Sequence, residues 1–234
     1  MLILAFETSA KAGSVALHDG ACLLGESYCN TGLTHSQTLM TMAEDLLKNC
    51  GKTPQDVTAV AVAAGPGSFT GVRIGVAAAK GFAWGKEIPC YGISTLEAMA
   101  LGFGLQEGYV LPVMDARREQ VYNALFYFEN GKLQRKCDDR AISLSDLAEE
   151  IKALEGPIFL VGDGSILCYN TLKDKIPGLV LPPEYRMHQR AVGVALAALL
   201  NPGDGDGNAL SPNYLRLSQA ERERLAREQN KGDI

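Results

Sequence analysis

The chain is poor in histidine, lacks paired cysteines and carries no surplus of basic residues, and each shortage removes a class of function. Among 234 residues only His18, His35 and His188 are histidine. Zinc sites commonly use histidines one helical turn apart, and these three are scattered, so no metal is expected on this chain. The six cysteines, at 22, 29, 50, 90, 137 and 168, include no Cys-x-x-Cys pair. Several lie in apolar runs, as buried free thiols do, which reads as a reduced cytoplasmic protein without a disulfide framework. Lys and Arg number 22 against 27 Asp and Glu, a net charge of −5. Phosphate neutralisation supplies much of a nucleic-acid binder's affinity, so the chain alone reads as a weak one. Arg117-Arg118 and Arg222–Arg227 are the local basic stretches, read as solvated surface. No apolar run approaches the roughly 20 residues that span a bilayer, and Met1–Phe6 is too short for a signal segment. No Gly-x-Ser-x-Gly elbow is present, and no carboxylate pair is framed for acid–base work, so no catalytic residue is assigned.

What the chain does have is a glycine-rich junction: Gly65-Pro66-Gly67-Ser68-Phe69-Thr70-Gly71-Val72-Arg73-Ile74-Gly75. It follows the strand-like run Val57–Ala64 and leads into a Gly/Ala-rich helical stretch. The first turn of a helix has unpaired N–H donors and the positive end of the dipole, so such a loop can hold an anion. Glycine equally permits strand, loop and helix to pack tightly, and the residues fit both uses. A Walker loop is excluded, because Val72-Arg73 follows Gly71 where a Lys-Ser/Thr pair is required.

The wider pattern is α/β. Leu2–Phe6, Ser14–His18 and Cys22–Tyr28 read as three strands, with Asp19-Gly20 as a hairpin turn. Thr34 and Gln37 have capping-box spacing, and Leu39, Met42, Ala43, Leu46, Leu47 and Cys50 recur at helical period until Gly51. A strand at Val57–Ala64, a helix from about Thr70, a strand near Pro89–Gly92 and a helix from Ser94 follow. A second half repeats the order. Tyr109–Met114, Val121–Phe128 and Lys132–Cys137 read as its strands, with Asn130-Gly131 as a turn. A helix at Ser145–Leu154, a strand at Ile158–Val161, a short helix at Ser165–Lys173 and a helix at His188–Leu200 complete it. Gly162-Asp163-Gly164 reads as a turn with a ligand-loop option, and Gly203–Asn208 as a flexible polar turn. Residues 218–234 are highly charged and read as a frayed or partly disordered tail.

The glycine junction resembles the hallmark of the TsaB (YeaZ) family of bacterial tRNA threonylcarbamoyladenosine biosynthesis proteins. Other blocks agree in order: Leu2–Ser9 with Ser14–Leu17, Thr34-His35-Ser36, Gly92–Leu96, Asp115-Ala116-Arg117 with Val121-Tyr122, and Pro212-x-Tyr214-Leu215-Arg216. The resemblance implies an actin-like/Hsp70-like/sugar-kinase fold (ASKHA, ribonuclease H-like) of two tandem βββαβα-type lobes. The expected division is 1–104, a smaller lobe at 105–217, and the tail at 218–234, with the helix at 188–200 able to pack back on the first lobe. Catalysts of this superfamily cup phosphates in the first hairpin. Here Glu7 stands where the family usually has Asp, and the turn is short of glycine, which weakens a nucleotide assignment. The candidate ligand or phosphate loops are Glu7, Thr8, Ser9, Gly65, Gly67, Ser68, Asp115 and Arg117.

The resemblance further implies a non-catalytic subunit that pairs with TsaD, a paralogue bearing the paired-histidine metal motif missing here. TsaD, TsaC and TsaE supply the transfer chemistry, the threonylcarbamoyl-adenylate and the ATPase. ATP and metal are therefore expected on partner subunits, tRNA only through the complex, and a homodimer when the chain is alone. The expected partner surface is the small-residue ridge Gly71, Gly75 and Ala79 with Val72, Val76 and Phe82, beside the helix bearing Thr34, His35 and Leu39. Two other classes compete. One is a stand-alone actin-like ATPase or small-molecule kinase using Glu7, Thr8 and Asp115 around magnesium-nucleotide. The other, an M22-type glycopeptidase, ranks last because no metal motif or nucleophile–base pair is present.

Overall fold

The structure is a computed structural model, and it describes residues 1–104 and 106–216. Strands β1 (Ile3–Glu7), β2 (Gly13–His18) and β3 (Leu23–Cys29) form an antiparallel meander. Helix α1 (His35–Asn49) then leads to β4 (Ala59–Gly65), helix α2 (Phe69–Trp84) to β5 (Cys90–Ser94), and α3 (Thr95–Phe103) closes the half. The sheet order is β3-β2-β1-β4-β5, with β4 parallel to both β1 and β5.

The two faces of this sheet differ in side-chain size because strand residues alternate. Leu4, Phe6, Val60 and Val62 point to α1 and α2. Ile3, Ala5, Ala59, Ala61 and Ala63 point to a second layer that holds Ala98 of α3 and helix α7 (Ala191–Leu200). That small-residue face lets the helices come close. A Cβ on Gly193 would collide with the Ala98 carbonyl, so α3 and α7 cross almost backbone to backbone. Helix α7 is Ala-Val-Gly-Val-Ala-Leu-Ala-Ala-Leu-Leu, apolar on every side. Such a helix calls for burial, and the sheet plus α3 cover most of it, leaving Leu200 at its end 64% exposed.

The second lobe repeats the plan. Its strands β6 (Gly108–Arg117), β7 (Gln120–Asn123), β10 (Arg140–Ser143), β11 (Ile158–Val161) and β12 (Leu179–Val180) take the order β10-β7-β6-β11-β12. A hairpin of β8 (Phe126–Glu129) and β9 (Lys132–Arg135) is added beside the first half of β6. Helices α4 (Leu144–Ile151) and α5 (Ser165–Leu172) cover one face. The other face packs on Leu96, Met99, Ala100 and Phe103 of α3, so α3 serves both lobes. Meander, crossover helix and parallel strand, twice over, are the actin/Hsp70/sugar-kinase architecture.

Four sequence expectations need correction. Val121–Phe128 is not one strand: it breaks at Ala124-Leu125, and its halves pair with different parts of β6. The third strand of the repeated plan is Arg140–Ser143, while Lys132–Arg135 belongs to the added hairpin. The last helix begins at Ala191, because 184–187 form a separate turn of helix, α6 (Glu184–Met187). Thr34 makes no side-chain cap, and the Gln37 N–H bonds the Thr34 carbonyl at 3.0 Å instead. A capping box does form at Thr53, closed by Asp56. The charged tail 218–234 lies outside the described residues.

Candidate functional site: the inter-lobe cleft

A cleft of about 570 Å³ opens between the lobes, lined by Ser9, Lys11, Ser68, Thr70, Asp115, Arg117, Asp163 and Tyr214, among others. The β1–β2 hairpin enters it from the first lobe, the β6–β7 turn from the second, and the glycine junction forms its floor. Sequence patterns spread over 200 residues thus converge on one place.

The first hairpin is not an open cup. Thr8 Oγ1 donates to the Gly71 carbonyl at 2.8 Å, and the Ser68 N–H donates to the Ser9 carbonyl at 2.6 Å. Ser68 caps α2 by accepting from the Gly71 N–H at 3.2 Å. A Cβ on Gly67 would strike Ser9, one on Gly71 the Thr8 carbonyl, and one on Gly75 the Thr8 hydroxyl and Val62. These three glycines therefore exist so that the hairpin can lie directly on the start of α2. Tight packing accounts for them, and two donors of the loop are already used within the chain. His35 pins the hairpin from its other side, with Nε2 placed 2.8 Å from the Ala10 carbonyl.

Glu7, Thr8 and Ser9 are fully buried. Glu7 Oε1 accepts from the Ser9 N–H at 2.6 Å, while Oε2 and the Ser9 hydroxyl have no hydrogen-bond partner among the described residues. Burial raises the Glu7 carboxyl from its usual 4.5 to about 7, and the nearby Asp163 carboxylate adds to that. Asp163 lines the cleft, accepts from Gln189 Nε2 at 3.2 Å, and has its carboxyl pushed above the usual range by loss of solvation and by the Asp115 charge. Asp115 holds the turn beyond it: its Oδ1 accepts from the Arg117 N–H at 2.7 Å and its Oδ2 pairs with the Arg117 guanidinium at 3.2 Å. No group of three His, Cys, Asp or Glu among the described residues is placed to hold a metal ion.

The expected partner ridge faces inward. Gly71, Val72, Gly75, Val76 and Ala79 are buried against the chain's own sheet, as is Leu39 of α1. The four-residue spacing was real, but a ridge of small side chains suits a sheet of Val and Leu as well as it suits another protein. Of the nominated surface residues only Thr34, His35 and Phe82 keep exposed area. Tyr214, Arg216 and Gln189 carry no motif that assigns them a role in the sequence, although Pro212–Arg216 is among the matching blocks.

Sequence comparison adds to this geometry. The model of the family described as "TsaD: tRNA N6-adenosine threonylcarbamoyltransferase" matches residues 30–164, beginning after the β1–β2 hairpin. The "tRNA threonylcarbamoyladenosine biosynthesis protein TsaB" of Bacillus subtilis is 33% identical over 221 residues, covering 94% of this chain and 96% of that protein. The chain belongs to the TsaB family. TsaB of Escherichia coli is 38% identical over 70% of this chain and 72% of its own. The solved structure "YeaZ from Pseudomonas aeruginosa" superposes with a TM-score of 0.72 at 25% identity, covering 92% of this chain and 99% of that one. Both lobes of this TsaB-family chain therefore have counterparts in a solved relative.

Proposed function

We propose that this chain is a non-catalytic subunit in tRNA threonylcarbamoyladenosine formation that acts by pairing with a TsaD-type protein. The observation that carries the reading is the closed first hairpin: Thr8 and Ser9 are tied to the start of α2, and Glu7 is buried beneath them. A phosphate-cupping hairpin would need those groups free. In this reading TsaD supplies metal and group transfer, TsaE the ATPase and TsaC the activated threonylcarbamoyl group, and tRNA is met only in the complex. The chain alone is expected to self-associate through the same surface in the cytoplasm.

The pairing surface is placed on the outer side of α1 and its approach. Leu33 and Met40 are 60% and 46% exposed, and Thr34–Ala43 contains no Asp, Glu, Lys or Arg. An exposed helix face without charge is unusual, and apolar anchors of this kind suit an interface core. The test is co-elution with the TsaD of the same organism, followed by light scattering, for the wild-type chain and for Met40→Asp. Co-elution of the wild type and at least tenfold weaker pairing by a folded Met40→Asp, about 1.4 kcal/mol, is the expected result. Unchanged pairing moves the surface elsewhere. ATP turnover by the isolated chain that disappears in Glu7→Gln would instead support the stand-alone ATPase, which draws on Glu7, Thr8 and Asp115.

A further inference from the structure

The chain crosses between the lobes in two places that lie side by side. One is the link from α3 to β6, flanked by Gly104 (φ 92°) and Gly108 (φ 127°). The other is the return from α6 to α7. They are joined to each other: Arg186 Nη2 donates to the Phe103 carbonyl at 2.5 Å, and its guanidinium lies 4.5 Å from the Phe103 ring centroid. The two crossings are thus tied to each other beside α3, which packs on both lobes.

A third connection spans the open side. After α7 the chain runs along β5, where the Cys90 N–H donates to the Gly205 carbonyl at 3.0 Å and Lys80 Nζ donates to the Leu210 carbonyl at 3.0 Å. It then reaches the glycine junction. The Asn213 N–H donates to the Ala64 carbonyl at 2.6 Å, and a Cβ on Gly65 would collide with the Asn213 carbonyl. Tyr214 stacks on Phe69 with ring centroids 4.7 Å apart, and its hydroxyl accepts from Arg73 Nε at 2.7 Å. Two residues later Arg216 leaves the first lobe, and its Nη1 donates to the Ala116 carbonyl at 2.5 Å in the second. Ala116 immediately precedes Arg117, Arg118 and Glu119, three consecutive non-glycine residues with φ of 67°, 57° and 56°. Such backbone costs energy and persists only where surroundings hold it.

We infer that residues 212–216 are a latch across the cleft: anchored on the first lobe by Asn213 and Tyr214, they hold the β6–β7 turn of the second lobe through Arg216. The anchor has several bonds and an aromatic stack, whereas the hold on the second lobe is a single charge-assisted bond to a carbonyl. The latch therefore lets go at Arg216 first, and the cleft wall formed by the β6–β7 turn moves with it.

Hydrogen exchange on the full chain tests this, comparing wild type with Arg216→Ala and Arg216→Lys at constant pH. Arg216→Ala is expected to speed exchange of the β6–β7 amides, residues 115–121, by about tenfold, the effect of losing one hydrogen bond to a charged group. Amides of β2 and β3 should stay as they were, and Arg216→Lys should restore part of the protection. Tyr214→Ala, which removes the anchor rather than the hold, should loosen both the glycine junction and the β6–β7 turn. Faster exchange confined to 210–216, or spread evenly over both sheets, would overturn the latch, because the first means mere tail ordering and the second mere loss of stability.

Discussion

The two lobes place corresponding hairpins at the same cleft, and the chain treats them in opposite ways. In the first lobe the loop between β1 and β2 is buried, pinned by His35 on one side and lying on Gly67, Gly71 and Gly75 on the other. In the second lobe the turn between β6 and β7 is exposed, has no glycine, and takes three left-handed residues in a row. The first loop is held by shape as well as by hydrogen bonds, since Gly67, Gly71 and Gly75 beneath it leave no room for a side chain. The second is held by polar bonds: from Asp115, from the latch, and from the Leu144 N–H, which donates to the Glu119 carbonyl at 3.0 Å. A duplicated plan can thus keep one copy rigid and leave the other adjustable without altering strand order.

The largest effect that sharpens this contrast is expected at the rigid loop. Gly71→Val drives a side chain into the Thr8 carbonyl and should cost about 3 kcal/mol, the upper range for overpacking, read as a lower urea midpoint at unchanged slope. If Gly71→Val were well tolerated, the first loop would be adjustable too. Next comes Glu7, whose pKa is raised on folding to about 7. Between about pH 4.5 and 7 the folded chain keeps a proton that the unfolded chain has lost, so stability should fall as pH rises through that window, by about 3 kcal/mol in all. Glu7→Gln keeps the acceptor for the Ser9 N–H and should flatten the decline, raising stability at pH 8 relative to wild type. A wild-type stability independent of pH across the window would show that Glu7 is paired or solvated. The smallest effect belongs to the other lobe. Arg118→Gly relieves one left-handed residue and should stabilise by about 1 kcal/mol, visible as a slightly higher Tm.

Much of the fold was readable in the chain. Short apolar runs, turn dipeptides and helical spacing located the first meander, α1, α2 and the Asn130-Gly131 turn, because there local preference and burial agree. The second meander was misread where they do not. Val121–Phe128 has continuous strand character, and only pairing with two different parts of β6 divides it. Arg140–Ser143 was overlooked because four residues carry too little pattern to separate a strand from a loop. The site divided in the same way. Glu7, Thr8, Ser68 and Asp115 announced themselves through motifs, whereas Arg216 contributes through a carbonyl 100 residues away, a contact no spacing rule expresses. The inward turn of the Gly71–Ala79 ridge was equally invisible, since periodicity gives a face but not its neighbour.

The sheet of the first lobe borrows its inner cover from the far end of the chain. Ile3, Ala5, Ala59, Ala61 and Ala63 lie under Ala191, Val194, Ala195 and Ala198. During synthesis β5 emerges at residue 94, but α7 follows only 106 residues later, an interval of about 5–20 s at ribosomal speed. For that time one face of the nascent sheet lacks its native lid while α1 and α2 already cover the other. Its alanines present less sticky area than the valines and leucines opposite, which eases the wait. The first lobe is consequently first to be translated and among the last to be finished, and a ribosome that stops between residues 188 and 191 has made every strand of the second lobe while the first still lacks its inner cover.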